Sequence, residues 1–318
     1  MKAIVYQEYG PPEVLKLKEV TKPVPKENEI QIKIYATSVS SGDCRIRKAN
    51  PFAVRFFFGL LKPKREILGG VLAGEVVELG KYVSQFKKGD KIFGSTGVNF
   101  GAYAEYICLP ETAVLAIKPD NISYEEAAAV PFGGLTSLYF LNKANLQNGH
   151  KVLIYGASGA VGTAAIQLSK NFGADVTGVC STSNLMMIKS LGADKVIDYT
   201  TADLTKLEET YDVIFDTVGK VSFSTIKRLL NKNGKIILAA SGLSEIIQGL
   251  WTSMTGSQEV ISGIIVEKLE NINLLKGLIE QGKLKAVIDK SYLLEQVSAA
   301  HSYVEKGHKK GNVVITIN

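Results

Sequence analysis

The sequence predicts an α/β protein of two domains. A β-rich, barrel-like domain takes residues 1–123 and 265–318, and a doubly wound parallel sheet of six strands takes 124–264. Three observations point there. The chain has 318 residues, enough for about two domains. Its first 120 or so residues carry short strand-like runs broken by glycine and proline. From about residue 150, near-continuous apolar strands alternate with helical stretches, the pattern of a parallel sheet covered on both faces.

In the first region Ile30, Ile32 and Ile34 alternate with polar residues. Further strands are expected at Val71–Leu79, Lys91–Gly94, Ala102–Leu109 and Val114–Ile117. Ser123 and Glu126 form a capping box ahead of an alanine-rich helix. The six strands of the sheet are expected at Lys151–Tyr155, Asp175–Cys180, Lys195–Asp198, Asp212–Thr217, Lys235–Ala240 and Val260–Ile264. Two helices follow, near Leu269–Gln281 and Leu294–Lys306. In the first, Leu269, Ile272, Leu275 and Ile279 share one face. Gly307 can stop the second, and a last strand at Asn312–Ile317 is expected to return to the first domain.

Composition narrows the function. Hydrophobic residues make up 46% and charged residues 21%, and the net charge is +6. The lysines and arginines are scattered without a basic stripe, which argues against a nucleic-acid partner and suits an anionic cofactor. Cys44, Cys108 and Cys180 lie far apart with no metal or redox spacing, as expected in a reducing cytoplasm. The opening residues alternate like a strand and lack the apolar stretch of a signal peptide, and no run is long enough for a membrane span.

The most informative stretch is Lys151-Val-Leu-Ile-Tyr-Gly-Ala-Ser-Gly-Ala-Val-Gly162. A strand runs into Gly156, Gly159 and Gly162, and a helix begins at once. Such a helix start holds a pyrophosphate on exposed N–H groups, here those around Gly156, Ser158, Gly159, Ala160, Val161 and Gly162. The spacing differs from G-x-G-x-x-G, because the second glycine comes one residue late. The second strand ends in Ser181-Thr182-Ser183-Asn184, where an NAD site carries an acid for the ribose hydroxyl. Hydroxyls there favour the 2′-phosphate of NADP(H), with Ser181 and Ser183 as contacts. Lys189 or Tyr199 could add to them; Lys189 could instead be a solvated helix residue, and Tyr199 a strand cap. Asp216-Thr217-Val218-Gly219 and Ala239-Ala240-Ser241-Gly242 put small residues at strand ends, leaving room at Val218, Ala240 and Ser241 for a ligand; each is also compatible with a plain tight turn.

These features, in this order, resemble the medium-chain dehydrogenase/reductase superfamily, and within it the zinc-independent NADPH:quinone oxidoreductase branch. The motifs span nearly the whole chain. They include Met-Lys-Ala-Ile-Val-Tyr at the start, Ser38-Val-Ser-Ser-Gly-Asp43, Gly70-Val-Leu-Ala-Gly-Glu-Val76 and Lys88-Gly-Asp-Lys-Ile-Phe-Gly94. They continue with Gly101-Ala-Tyr-Ala-Glu-Tyr106, Ala128-Ala-Val-Pro131, the glycine turn with its late glycine, and Gly311-Asn-Val-Val314. The resemblance implies a GroES-like β domain interrupted by a Rossmann domain, an active site in the cleft between them, a homodimer paired through the sheet edge at Val260–Ile264, and a cofactor contact at Asn312.

The departures shape the expected chemistry. Zinc-dependent members carry a Cys ligand in the early loop and a Gly-His-Glu segment; here the loop reads Ser40-Ser41-Gly42-Asp43-Cys44, and no histidine precedes Val76. His150, His301 and His308 are the only histidines, none at ligand spacing from a cysteine. Ser40 stands where the branch has Asn, Ser41 where it has Pro, and Ser183 near the place where some NADPH-using relatives have an arginine. Without a Lewis acid, the favoured substrates accept hydride readily: quinones and α,β-unsaturated carbonyls. Ser40, Asp43, Cys44 and Tyr103 are candidates for handling the proton, with water as an equal source; Asp43 could instead anchor its loop. A trans-2-enoyl thioester reductase and a low-turnover NADPH-binding sensor or partner protein remain as alternatives. Phe52–Leu61 is unusually apolar and is read as a core helix, with a substrate-pocket wall or a membrane-surface contact as competing readings. Trp251 and Met254 are read as core or interface.

Overall fold

The computed structural model describes residues 1–239 and 258–318. The chain divides into two compact units, Met1–Phe132 with Glu267–Asn318, and Gly133–Val266.

The first unit opens with β1 (Lys2–Val5) and β2 (Lys16–Glu19), paired antiparallel. The long β3 (Glu29–Val39) leads into α1 (Ser41–Lys48) and the short α2 (Val54–Phe58). Next come β4 (Val71–Leu79), β5 (Lys91–Ser95), β6 (Tyr106–Pro110) and β7 (Leu115–Ile117). β3 organises the sheet: β4 lies along one side, and β6 pairs antiparallel with its first half. Ile30, Ile32 and Ile34 of β3 are fully buried with Leu72, Val76 and Ile92, as their period-two spacing requires.

The expected strand at Ala102–Leu109 begins only at Tyr106. The backbone at 102–103 instead donates to Gly69 and Leu68 carbonyls, and Ala104 makes a lone bridge to Ala3.

Helix α3 (Tyr124–Lys143) starts at the Ser123–Glu126 capping box: Ser123 N–H donates to Glu126 at 2.8 Å, and Glu126 N–H to the Ser123 hydroxyl at 3.1 Å. The second unit follows with β8 (Lys151–Tyr155), α4 (Ala160–Asn171), β9 (Asp175–Cys180), α5 (Leu185–Ser190), β10 (Lys195–Asp198), β11 (Tyr211–Asp216), α6 (Phe223–Arg228), β12 (Leu230–Leu238) and β13 (Glu259–Ser262). All pairings are parallel, in the order β10-β9-β8-β11-β12-β13. Numbered within the sheet this is 3-2-1-4-5-6, the doubly wound order whose reversal between the first and fourth strands opens a crevice at the carboxyl ends. β13 forms one edge and stops at Gly263, whose φ is +120°.

The chain closes in the first unit with α7 (Leu269–Glu280), β14 (Ile288–Leu293), α8 (Val297–Glu305) and β15 (Asn312–Thr316). β15 returns antiparallel to β3, as expected for the tail. β14, which periodicity did not reveal, pairs parallel with β15; its Ile288–Leu293 run mixes polar and apolar residues because it lies at the sheet edge. On α7, Ile272, Leu275 and Ile279 are buried, whereas Leu269 in the first turn is exposed. Among the described residues no helix is long and apolar enough to cross a membrane.

Candidate active site

In the second unit, β8 delivers the chain into a turn that only glycine can make. Gly156 has φ +76°, and a Cβ on it would lie 2.2 Å from Val218 Cγ2. A Cβ on Gly162 would lie 2.3 Å from the Gly156 carbonyl oxygen. These two glycines are therefore required by the turn and by the close seat of α4 upon it. Gly159 differs: its backbone is extended, and an added Cβ would meet nothing closer than 3.6 Å. Gly159 is the N-cap of α4, and no side chain caps that end. The first N–H groups of the helix, at Ala160, Val161 and Gly162, are open to an anion, and the dipole favours one. Ser137 of α3 holds the first turn from behind, donating to the Val161 carbonyl at 2.9 Å.

The neighbouring strand ends complete the rim. Asp216 is buried at the end of β11 and accepts from the N–H groups of Val218 and Gly219, both at 2.8 Å. The Thr217 hydroxyl reaches the carbonyls of Tyr155 (2.9 Å) and Gly156 (3.2 Å), and Val218 is left partly exposed beside the glycine turn. At the end of β9, the Ser181 and Ser183 hydroxyls stand 3.5 Å apart, with Asn184 donating to Ser181 at 3.1 Å. Tyr199 is half exposed, its ring 6.3 Å from that of Tyr155.

Lys189 does not join this group: its ammonium donates to the Asp194 carbonyl at 2.5 Å, tying the end of α5 to the following turn. Asn312, expected at the cofactor, has partners within its own unit. It is buried in the first unit and bonds the Val287 carbonyl through both backbone N–H (2.8 Å) and side chain (3.1 Å), registering β15. Ala240, Ser241, Trp251 and Met254 lie outside the described residues.

Sequence reading also missed Asp198. Its carboxylate accepts from the hydroxyls of Thr182 (2.5 Å) and Thr200 (2.7 Å) and from Thr200 N–H (2.9 Å), bonds that hold it below the usual carboxylate range. An acid thus stands beside the Ser181 loop after all, supplied by β10 rather than β9, with its oxygens engaged in shaping that loop.

In the first unit, Ser40 caps α1. Its N–H and hydroxyl both donate to Asp43, at 2.9 and 2.5 Å, and its oxygen accepts from Asp43 N–H at 3.1 Å. Asp43 also accepts from Gly69 N–H at 3.3 Å, joining the α1 loop to the segment before β4. Burial pushes the Asp43 carboxyl up, and these hydrogen bonds pull it the other way. Tyr103 is fully buried, and its hydroxyl lies 3.2 Å from His301 Nε2. Burial, then the negative charge and hydrogen bonding of Asp43, push the phenol well above its ordinary value. On the other ring edge, His301 Nδ1 lies 3.4 Å from Cys44 Sγ. Burial, then the nearby Arg47 charge, lower His301 to about 3, while burial raises Cys44 to about 12. Both groups are therefore neutral at pH 7, a thiol against an imidazole. One arrangement satisfies the pair: Cys44 S–H donates to Nδ1 and Nε2–H to the Tyr103 oxygen. Asp43 and Tyr103, candidates for handling the proton, are both buried, and Asp43 anchors its loop, the other role read for it.

The comparisons agree with this geometry. Residues 26–120 match the alcohol dehydrogenase GroES-like domain, and residues 191–315 match a family model described as zinc-binding dehydrogenase. The chain is 33% identical to the chloroplast envelope quinone oxidoreductase homolog of Arabidopsis thaliana, over 99% of this chain and 98% of that one. It is 31% identical to the NADPH-dependent alkenal/one oxidoreductase of the same plant, over 99% of this chain and 79% of that protein. The solved structure of the quinone oxidoreductase from Coxiella burnetii superposes with a TM-score of 0.90 at 31% identity, covering 100% of this chain and 99% of the other. This chain belongs to the quinone oxidoreductase branch of the medium-chain dehydrogenase/reductase superfamily.

The zinc in that family model's description can be tested against the donor set of this quinone oxidoreductase relative. Cys44 and His301 do meet, which their spacing in sequence conceals. Yet they bond to each other, and Tyr103 takes the second imidazole nitrogen, so the pair brings no third ligand with it. Among the described residues no group of three or more His, Cys, Asp or Glu side chains could hold a metal ion. The described residues do not fit zinc. His301 was missed as a partner, although a signal was present. Cys44 and Arg47 are three apart on α1, and His301 and Glu305 four apart on α8, so each pair shares a helix face. The faces meet: Arg47, fully buried, pairs with Glu305, and Lys48 reaches the same carboxylate at 3.0 Å.

Proposed function

We propose that this protein is an NADPH-dependent reductase of quinones and α,β-unsaturated carbonyls that works without a metal ion, as a cytoplasmic homodimer. The observation that carries the cofactor is the uncapped start of α4 at Gly159, beside a β9 end that offers the Ser181 and Ser183 hydroxyls. On this reading, Ser158 and the N–H groups of Ala160, Val161 and Gly162 hold the pyrophosphate, and Ser181 and Ser183 receive the 2′-phosphate with Tyr199 alongside. Val218 borders the same edge. Bound NADPH supplies a hydride to an electron-poor carbon. The name of the Arabidopsis alkenal/one oxidoreductase supports both the cofactor and the substrate class.

Ser40 is our candidate for meeting the substrate oxygen. Its hydroxyl is held by Asp43, which Gly69 holds in turn, so Asp43 acts as a positioning residue. The proton comes through Ser40 or from water, and Ser40→Ala separates the two. The open edge of β13 is the surface through which two sheets would pair. Three free thiols suit a reducing compartment.

The experiment is NADPH oxidation with 9,10-phenanthrenequinone, a short enone and crotonyl-CoA in parallel. Turnover of the first two is expected. Tight NADPH binding with no turnover of any acceptor would sink the reductase reading, and a strong preference for crotonyl-CoA would move it to enoyl thioesters. Sedimentation velocity tests the dimer.

A further inference from the structure

The segment after α1 was expected to be a core helix, and it is not. No residue of α2 is buried. Phe52, Phe56, Phe57, Leu60 and Leu61 are all exposed, from 53% at Leu60 to 89% at Leu61. Large apolar side chains scattered singly on a surface need no explanation, but five within ten residues do.

The knuckle is firmly built. The Tyr9 hydroxyl donates to the Gly59 carbonyl at 2.7 Å, and the Arg55 guanidinium lies over the Tyr9 ring at 4.7 Å. Lys64 N–H donates to the Phe58 carbonyl at 2.8 Å, and the Phe58 ring packs edge-on against Phe100 at 5.6 Å. Phe58 thus points inward as the anchor while its neighbours point out. The segment itself carries charge of one sign. From Arg55 to Arg65 it holds four basic residues and no acidic one, while Arg47 and Lys48 before it pair with Glu305 and Glu66 follows it. Lys62, Lys64 and Arg65 follow directly on Leu61 and are exposed.

We propose that this knuckle docks the protein on the surface of anionic lipid bilayers. Phenylalanine and leucine side chains would enter the boundary between headgroups and acyl chains, with the lysines and arginine at the phosphates. Charge selects this occupant. A second copy of a chain with net charge +6 would bring the same basic rim against itself, whereas an anionic bilayer offers both the countercharge and the apolar depth. The contact is peripheral, since among the described residues no helix is long and apolar enough to cross.

The test is co-sedimentation of the full chain with phosphatidylcholine vesicles, with and without about a third phosphatidylglycerol. Binding to the anionic vesicles is expected, weaker on phosphatidylcholine alone and falling with salt. Phe56→Asp with Phe57→Asp should weaken it at least about tenfold. Lys62→Gln and Lys64→Gln should cost about fivefold each. Both sets leave the melting temperature unchanged, because the side chains are exposed. Three results would overturn the proposal: no binding to anionic vesicles, vesicle binding unaltered by the phenylalanine variants, or variants that change only self-association or the KM for quinone. The last would make the knuckle a subunit interface or a substrate wall.

Discussion

Cys44 Sγ lies 3.4 Å from His301 Nδ1, although 257 residues separate them in the chain. This contact ties α1, which carries the loop of Ser40, to α8 near the C-terminus. The pair is neutral because burial, the largest cause acting on each, opposes both a thiolate and an imidazolium.

The thiols should accordingly be inert in the folded protein. Burial raises Cys44 to about 12, and Cys108 and Cys180 to about 11. At pH 8 the thiolate fraction is then about one in a thousand or less, against roughly a quarter for a free cysteine. Labelling with a chromogenic disulfide should be at least about a hundredfold slower in the native protein than in urea. Rapid labelling of one equivalent in the native state would contradict the burial of these groups.

His301 should make stability depend on pH. Its folded value of about 3 lies below the ordinary histidine value of 6.5, so between these the unfolded chain binds a proton that the folded chain does not. Stability therefore rises with pH across this window and is lost as pH falls from about 6.5 toward 3. Between pH 7 and pH 5 the loss is about 2 kcal/mol. Asp43, raised by burial, contributes the opposite sign in the carboxylate range. Urea unfolding of wild type and His301→Gln at both pH values checks this: the variant should be less stable at pH 7 but lack most of the slope. Equal slopes would remove His301 as the cause.

The glycine turn allows a separation of folding from binding. Gly159→Ala has room in the chain, so melting should be unchanged while NADPH affinity falls at least about tenfold, the methyl occupying the space that phosphate needs. Gly162→Ala forces a contact of 2.3 Å with the Gly156 carbonyl and should lower both stability and binding. Calorimetric titration with parallel melts distinguishes them. Unchanged NADPH affinity in Gly159→Ala would place the pyrophosphate elsewhere.

Ser181→Asp tests the nucleotide preference. A carboxylate at the end of β9 would repel the 2′-phosphate and accept from a ribose hydroxyl. The ratio of kcat/KM for NADPH over NADH should fall at least about tenfold. An unmoved ratio would show that Ser181 does not face the ribose.

The second unit was largely readable before its structure was known. β8, β9 and β10 have the bounds expected from their apolar runs, and the glycine turn lies between β8 and α4. Local rules suffice there. A buried parallel strand is apolar throughout, and a turn with positive φ calls for glycine. Lys189 and Asp198 show where such rules stop. Lys189, read either as an added cofactor contact or as a solvated helix residue, binds a carbonyl in its own turn; Asp198 belongs to a different strand from the loop it shapes.

The sequence by itself determined the two-domain α/β organisation, the doubly wound sheet, the phosphate turn and the family. Each follows from periodicity, from backbone conformations that only glycine adopts, or from motifs contiguous in the chain. Only the tertiary structure decided that Cys44, His301 and Tyr103 form one buried chain, that Asn312 serves strand register, and that Phe52, Phe56 and Phe57 face outward. The physical reason is common to all three. Burial and hydrogen-bond partnership are set by which distant segments pack together, and side-chain type and local spacing do not encode that packing.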